Sequence, residues 1–201
     1  MPGVDKNSVK QILELLVEKL EYDKINSLLD LTFENNGVVP AAKELGFKDV
    51  KGYAIHPVNQ NVNELKNYQE VDLDKWPSQE NRFDLAVCLE SVQNFTESEM
   101  QTLIDHLIFT SDRILFSCPI PGQMSEQNLN LKWPEFWAKL FHQRGMVMLD
   151  CLRYDILDNT SISWNLRQNV FLVLKRSLWV QKYQQFKLVN SEFHLVHNSI
   201  Y

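Results

Sequence analysis

The sequence predicts an α/β domain built on a doubly wound, mostly parallel sheet of seven strands, with the last strand antiparallel. Residues 26–57 show a short apolar run, a polar turn, helical spacing and a second apolar run, which together form one βαβ unit. Residues 83–89 form a nearly continuous apolar run, as expected of a central parallel strand that is buried on both faces.

The other predicted elements continue this alternation along the chain. Asn7 or Ser8 is expected to cap a first helix, Gly46 to end the helix of the βαβ unit, and Thr96 with Glu99 to form a capping box. The predicted helices cover residues 6–21, 38–45, 96–109 and 134–145, and the further strands cover residues 68–73, 113–117, 146–152 and 169–174. A short connection joins the last two strands, which are therefore expected to run antiparallel.

Composition limits the classes of function. A length of 201 residues with 44% hydrophobic residues fits one domain, which we place at residues 1–176 including the first helix, followed by a C-terminal tail over residues 177–201. The net charge of −6 argues against nucleic acid as a partner. No apolar run approaches the roughly 20 residues that cross a bilayer, so we expect a soluble, cytoplasmic protein that does not bind membranes.

The cysteines and the tail give two further expectations. The three cysteines lie in or just after predicted strands and match no metal-ligand spacing, so we expect reduced core thiols and no metal site. The tail either folds back on the domain or supplies an interface for a protein partner or a second copy of the chain, and we favour the interface. Its apolar residues are Leu178, Trp179, Val180, Tyr183, Phe186, Phe193, Leu195, Val196, Ile200 and Tyr201.

The first turn of the βαβ unit, residues 32–37, has an unusual composition. In α/β domains this turn normally holds a nucleotide-like ligand, because glycines let the backbone approach it and a helix N-terminus faces its charge. Here the turn has a single glycine, Gly37, and carries Glu34 in its middle. Asp30, near the end of the preceding strand, is expected to cap amides of the turn.

Residues 28–176 resemble the class I S-adenosylmethionine-dependent methyltransferases, which have a Rossmann-like fold, and in particular a subgroup found among surface-glycan biosynthesis proteins. The resemblance rests on several stretches of the chain together. They are Leu29-Asp30-Leu31, Lys43-Glu44-Leu45-Gly46, Phe83-Asp84-Leu85-Ala86-Val87-Cys88-Leu89-Glu90, Leu115-Phe116-Ser117, Ile120-Pro121-Gly122-Gln123, Trp133-Pro134-Glu135-Phe136-Trp137-Ala138, Asp150-Cys151-Leu152-Arg153 and Gln168-Asn169.

The chain departs from the family pattern where the family binds its cofactor. The resemblance aligns Thr32, Glu34 and Asn36 with the three glycines of the family's first turn, and Ala54 with the acid that grips the cofactor ribose. A charged hydrogen bond is worth about 1.5–3 kcal/mol, so the loss at Ala54 alone would weaken cofactor binding roughly ten- to a hundredfold.

The resemblance also marks positions around the rest of the pocket. The Glu-His pair that follows the family's fourth strand is Gln93-Asn94 here. The loop that reads roughly His-Val-Asn-Glu-Gln-Trp in the subgroup is Asn128-Leu129-Asn130-Leu131-Lys132-Trp133, so its ionisable His and Glu are replaced by Asn128 and Leu131. The positions for a degenerate cofactor site are Asp30, Thr32, Glu34, Asn36, Ala54, Asp72 and Glu90, and the pocket candidates are Gln93, Asn94, Asn130 and Trp133.

These departures favour a protein with the methyltransferase fold and a decayed S-adenosylmethionine site, which needs no cofactor. Its expected role is that of a non-catalytic binding or regulatory partner in glycan or related biosynthesis. One alternative is an active O-methyltransferase in which Asp30, Glu34, Asp72 and Glu90 hold S-adenosylmethionine in an atypical way. A second alternative is an enzyme that uses the pocket for other chemistry.

Overall fold

The structure is a computed structural model that describes residues 4–20, 24–32, 37–55, 68–75, 83–123 and 130–189. Its strands are β1 (Ser27–Thr32), β2 (Asp49–Ile55), β3 (Gln69–Val71), β4 (Leu85–Leu89), β5 (Arg113–Ser117), β6 (Met146–Leu149) and β7 (Val170–Lys175). Its helices are α1 (Lys6–Lys19), α2 (Val38–Glu44), α3 (Glu97–Thr110), α4 (Pro134–His142), α5 (Arg153–Ile156), α6 (Trp164–Asn169) and α7 (Arg176–Lys182).

The strands form one seven-stranded sheet in the order β3-β2-β1-β4-β5-β7-β6. Strands β1 to β5 pair in parallel, whereas β7 is antiparallel to both β5 and β6. This confirms the predicted doubly wound sheet with an antiparallel last strand. The strand order reverses between β1 and β4, and ligands of such folds bind beside the carboxyl ends of the strands at this reversal.

Helices cover both faces of the sheet because its central strands are apolar on both sides. In β4, Leu85, Val87 and Leu89 belong to the core beneath α1, α2 and α6. The intervening Ala86 and Cys88 belong to the core beneath α3 and α4. All five residues of β4 are buried, which confirms the prediction made for residues 83–89.

The predicted ends of two helices are confirmed. Thr96 caps α3 through the reciprocal capping box with Glu99. Gly46 follows α2 with φ of +85°, and its N–H donates to the carbonyl of Lys43 while the N–H of Phe47 donates to Ala42. These bonds satisfy carbonyls at the end of the helix, and only glycine adopts this φ without strain.

Other predicted boundaries are wrong by a few residues. The N-cap of α1 is Asp5, whose carboxylate accepts from the Ser8 N–H at 2.9 Å, rather than Asn7 or Ser8. Ser8 is buried instead, and its hydroxyl accepts from the N–H of Ser163 at 2.8 Å. Strand β6 ends at Leu149 rather than at residue 152, because Asp150 turns inward to pair with the buried Arg153 at the start of α5.

The described part of the tail packs on the domain. Tyr183 is fully buried, and Trp179 and Phe186 pack against the same core. The carbonyl of Lys187 accepts from the N–H of Asp150 at 3.1 Å, so the chain runs antiparallel beside β6. Residues 177–189 therefore follow the first of the two alternatives given for the tail, and its remaining apolar residues lie outside the described part.

Candidate functional site

Asp30 lies on β1, next to the strand-order reversal, and is fully buried. Its Oδ2 accepts a 2.6 Å hydrogen bond from the hydroxyl of Tyr68. Burial raises the pKa of Asp30 to about 8, and the hydrogen bond from Tyr68 offsets part of this rise. The contact that the structure describes for Asp30 is therefore with Tyr68, rather than with amides of the first turn as expected. Residues 33–36 of that turn lie outside the described part.

Tyr68 connects three elements around the first turn. It precedes β3, and its ring packs over Gly52 of β2, the residue that pairs with Asp30 in the sheet. Its hydroxyl also accepts from the N–H of Val39, in the first turn of α2, at 3.5 Å. Burial and the neighbouring Asp30 raise the pKa of Tyr68, so its hydroxyl keeps its proton. Tyr68 thus occupies the space between the strand carboxylate and the start of α2.

Gly37, the one glycine of the first turn, is required by the chain itself. A Cβ at this position would lie 2.6 Å from the carbonyl oxygen of Val4 and 3.0 Å from backbone atoms of Asp5 and Lys6. The start of α1 therefore lies against the start of α2. The close approach that glycine permits here is an approach of one backbone segment to another.

The remaining predicted cofactor positions are only partly described. Thr32 ends β1 and pairs with Ala54, which is buried and offers a methyl group where the family has an acid. Asp72 pairs with Lys75 at 2.9 Å and caps the N–H of Asp74, so it stabilises a local turn. The side chain of Thr32, and all of Glu34 and Asn36, lie outside the described part.

Glu90 follows β4 on the other side of the strand-order reversal. It is buried, and its backbone has φ of +50°, a left-handed conformation that costs a non-glycine residue roughly 1–2 kcal/mol. The Ser117 hydroxyl donates to Glu90 Oε1 at 2.9 Å. Burial raises the pKa of Glu90 to about 7, and Ser117, Asn169 and Asn165 offset part of this rise. Strained backbone of this kind is typical of functional sites.

Glu90 belongs to a buried set of polar side chains that we call the Glu90 cluster. Its members come from the ends of β4 and β5, the segments that follow these strands, and α6. They are Glu90, Gln93, Ser117, Gln123, Asn165 and Asn169. Gln93 donates to the carbonyl of Glu90 at 2.6 Å, and Asn169 donates to Gln123 Oε1 at 2.9 Å.

The other predicted pocket residues stay outside this cluster. Asn94 donates to the carbonyl of Ser91, and the buried Asn130 donates to the carbonyl of Phe95, so both support the loop that follows β4. Trp133 caps α4 and is 40% exposed. The structure thus brings together Glu90 and Gln93 from the predicted set and leaves Asn94, Asn130 and Trp133 with local roles.

Sequence analysis missed five residues that the structure places at these two sites. Tyr68 lies in a predicted strand, and nothing in the pattern indicates that its side chain reaches Asp30. Ser117 and Gln123 appear in the stretches that resemble the family, but without a role. Asn169 also appears in such a stretch, Gln168-Asn169, and it lies four residues after Asn165, the spacing that puts two side chains on one helix face.

The three cysteines are free and buried, so the prediction that they lie in the core is confirmed. Burial raises the pKa of Cys88 and Cys118, and it raises the pKa of Cys151 to about 12, so all three are thiols at neutral pH. Within the described ranges, no group of three or more His, Cys, Asp or Glu side chains is placed to hold a metal ion. In the same ranges, no helix combines the length and apolarity needed to cross a membrane.

No protein-family model and no curated protein match the sequence. Solved structures of similar fold include the sugar N-methyltransferase KedS8 from Streptoalloteichus sp ATCC 53650, with a TM-score of 0.62, 13% identity, and coverage of 85% of this chain and 87% of that chain. The magnesium protoporphyrin IX methyltransferase ChlM from Synechocystis PCC 6803, with bound SAM, has a TM-score of 0.55, 12% identity, and coverage of 84% and 80%. The plantazolicin methyltransferase BpumL, in complex with SAH, has a TM-score of 0.57, 13% identity, and coverage of 84% and 83%.

These similarities extend over most of the chain, and the strand order and the antiparallel last strand are those of class I methyltransferases. The chain therefore has the Rossmann-like fold of the class I S-adenosylmethionine-dependent methyltransferases. The likeness at 12–13% identity concerns the fold. A function has to be argued from the side chains of this chain.

Proposed function

We propose that this protein uses the methyltransferase fold without binding S-adenosylmethionine, and that it acts as a non-catalytic binding or regulatory partner. The observation that carries the proposal is the position of Tyr68. Its hydroxyl is bonded to Asp30 at 2.6 Å and accepts from the N–H of Val39 at 3.5 Å. The strand acid and the start of the helix are the groups that a first turn normally presents to a ligand.

The free energies involved support a weak or absent cofactor site. A cofactor that displaces Tyr68 leaves the buried Asp30 without its partner, at a cost of about 1–3 kcal/mol. The missing ribose contact at Ala54 removes a further 1.5–3 kcal/mol or so. A cofactor bound at about 1 μM has roughly 8 kcal/mol of binding free energy, so these two losses raise the dissociation constant to between roughly 0.1 mM and 20 mM, before the altered first turn is counted.

The cofactor test compares the wild type with Tyr68→Ala and with Tyr154→Ala, which removes a tyrosine that is 55% exposed. With S-adenosylmethionine at about 1 mM, we expect no change in the wild-type melting temperature and no heat of binding in calorimetry. A ligand at about 100 times its dissociation constant adds roughly 2.7 kcal/mol, which raises the melting temperature by about 5–10 °C in a domain of this size. A rise of that size in the wild type would overturn the proposal and favour an active methyltransferase.

Tyr68→Ala separates the contribution of the side chain from that of the lost sequence motifs. If Tyr68 is the main obstacle, the variant gains measurable affinity for S-adenosylmethionine, whereas Tyr154→Ala behaves as the wild type does. If both variants stay inert, the altered first turn and Ala54 are sufficient to prevent binding. Either result supports the proposed loss of cofactor binding, provided that the wild type does not bind.

A protein partner is the second part of the proposal, and it is supported by the tail beyond the packed segment. Residues 190–201 include five apolar side chains: Phe193, Leu195, Val196, Ile200 and Tyr201. Truncation after Val189 keeps Tyr183 and the segment that pairs with β6, so we expect a folded monomer that has lost a partner or a self-association equilibrium. Light scattering of both forms tests self-association, and capture from the source cell with both forms as bait tests a partner. Equal masses and equal captured proteins would contradict this role of the tail.

A glycan-related pathway remains the more specific form of the proposal, supported by the resemblance described above. The Glu90 cluster favours one other candidate function, namely reuse of a polar pocket on this fold for a different ligand. A buried carboxyl whose pKa is about 7 can accept or donate a proton at neutral pH. Binding of a ligand by the Glu90 cluster would favour reuse of the pocket over a purely non-catalytic role.

A further inference from the structure

The Glu90 cluster is a second candidate binding site, separate from the contact between Asp30 and Tyr68. In the sheet, Leu89 pairs with Ser117 and Ser117 pairs with Val170. Glu90 directly follows β4 and Asn169 directly precedes β7. Both therefore lie one residue beyond this row, at the edge of the sheet where β4 and β5 end. The proposal for the Glu90 cluster does not depend on whether the first turn binds S-adenosylmethionine.

The backbone fixes the orientation of three side-chain amides in the cluster. Gln123 Oε1 accepts from the N–H of Ile120 at 2.7 Å, so this atom must be the oxygen. Asn169 lies 2.9 Å from that same oxygen and must donate to it through Nδ2, which leaves its Oδ1 as a possible acceptor for another group. Gln93 donates to the carbonyl of Glu90 through Nε2, which leaves its Oε1 as a possible acceptor for another group. These assignments follow from donor and acceptor chemistry.

The cluster has more unused acceptors than donors. The oxygens Glu90 Oε2, Gln93 Oε1, Asn165 Oδ1 and Asn169 Oδ1 are buried and have no partner at normal hydrogen-bond geometry in the part of the chain that the structure describes. The amides of Asn165 and Asn169 nevertheless lie close enough to Glu90 to lower its pKa, so its carboxyl is solvated weakly rather than left bare. On the donor side, only Gln123 Nε2 is unused within this cluster by the same criterion. A buried polar atom without a partner costs about 1–3 kcal/mol, so an occupant that donates several hydrogen bonds is favoured.

The charge of the cluster is also unbalanced. Glu90 is its one ionisable member, and a buried carboxylate is unfavourable unless it is paired. Burial raises the pKa values of Cys88 on β4 and Cys118 after β5, and Glu90 raises both further, so these neighbouring thiols stay neutral; Asp30 on β1 also acts on Cys88. Among the described residues, no Lys, Arg or His forms an ion pair with Glu90. A divalent metal ion usually takes more than one carboxylate, and the cluster has one.

We propose that the Glu90 cluster binds a small nitrogen cation, which is either the free ammonium ion or the protonated amino group of a primary amine. Such a group supplies one positive charge for Glu90 and three or more N–H donors for the amide oxygens of Gln93, Asn165 and Asn169. Ammonium N–H donors bonded to a carboxylate make the stronger, charge-assisted kind of hydrogen bond. The bound group is expected to prefer ionised Glu90, so binding strengthens as the pH rises through neutrality.

The test uses ¹⁵N-ammonium chloride and ¹⁵N-methylammonium chloride with the full chain at about pH 8. Protons of a free ammonium ion exchange with water too quickly to give a sharp ¹H–¹⁵N signal, whereas a buried ion is protected. We expect such a signal in the wild type, a melting temperature raised by at least about 2–4 °C relative to sodium chloride at equal ionic strength, and neither effect in Glu90→Gln. Circular dichroism checks that the variant is folded.

Asn169→Ala provides a second variant that keeps the carboxylate. It removes one acceptor, and we expect its affinity for the bound cation to fall about tenfold, the equivalent of roughly 1.4 kcal/mol. Binding of ammonium alone identifies a site for the free ion, and binding of methylammonium as well identifies a site for the head of a larger amine. If neither cation gives a protected signal or a shift that depends on Glu90, the cluster holds only water and the proposal is overturned.

Discussion

Replacing Asp30 by Asn tests the buried contact with Tyr68 most directly. The amide has the shape of the carboxyl group and still accepts the hydrogen bond of the Tyr68 hydroxyl, so the substitution removes a titrating proton and little else. The pKa of Asp30 is raised from 3.8 to about 8, chiefly by burial. Between these two values the folded protein holds one proton more than the unfolded chain, so its stability falls as the pH rises.

The magnitude follows from proton linkage. One extra proton in the folded state lowers the free energy of unfolding by about 1.4 kcal/mol for each unit of pH. From pH 5 to pH 7, Asp30 should therefore destabilise the wild type by up to roughly 2.7 kcal/mol, or about 5–10 °C in melting temperature. Asp30→Asn lacks this term. The slope that Glu90 contributes, since its pKa is also raised by burial, remains in both proteins.

The assay is urea denaturation of both proteins at half-unit steps of pH between about pH 4 and pH 8, with the difference in unfolding free energy plotted against pH. Asp158→Asn, at an exposed position, serves as the control for the removal of one negative charge. We expect Asp30→Asn to gain stability over the wild type steadily with pH, and the control to show a nearly constant difference. A constant difference for Asp30→Asn would mean that Asp30 ionises as an ordinary carboxyl, and the interpretation of Tyr68 as its buried partner would be wrong.

Gly52→Ala is expected to destabilise the protein by about 1–3 kcal/mol, because its Cβ would lie 2.6 Å from a ring carbon of Tyr68 and 2.8 Å from Val39 Cγ2. In a double-mutant cycle, Gly52→Ala should cost much less stability in the Tyr68→Ala background than in the wild type. Additive effects of the two substitutions would contradict the packing of the ring on Gly52. Arg153→Met is expected to cost about 3–5 kcal/mol in chemical denaturation, because it leaves the buried Asp150 unpaired. Adding Asp150→Asn should recover part of that loss, and no recovery would show that the ion pair is not its cause.

Much of the fold could be predicted because it depends on patterns that repeat locally. The apolar residues of β4 indicate a strand buried on both faces, and the spacing of Thr96 and Glu99 predicts the start of α3 within one residue. The antiparallel direction of β7 was predicted correctly but for the wrong reason, because the connection between β6 and β7 covers residues 150–169 and contains α5 and α6. Predicted helix boundaries were wrong where a distant contact decides between equally good local caps. The Ser8 hydroxyl accepts from the N–H of Ser163, and Asp5 rather than Ser8 is the N-cap of α1.

The candidate sites were predictable only in part. Asp30 and Glu90 could be named because they lie near the carboxyl ends of β1 and β4, at the edge where such folds carry ligands. Their partners could not be named, since Tyr68 reaches Asp30 across β2 from 38 residues away in sequence. Gln123 and Asn169 meet across 46 residues, and no local pattern encodes that contact.

The amino-acid sequence alone was enough to predict the seven strands, helices α1 to α4, and the lack of glycine at residues 32, 34 and 36, whereas α5, α6 and α7 were not predicted. These properties depend on hydrophobic periodicity, on capping residues and on residue identity, all of which can be read along the chain. The side chain beside Asp30 and the polar groups around Glu90 became apparent only from the three-dimensional arrangement of the chain. Both outcomes depend on side chains that the sheet brings together from distant segments, and burial then sets their pKa values and leaves their unused hydrogen bonds without access to water.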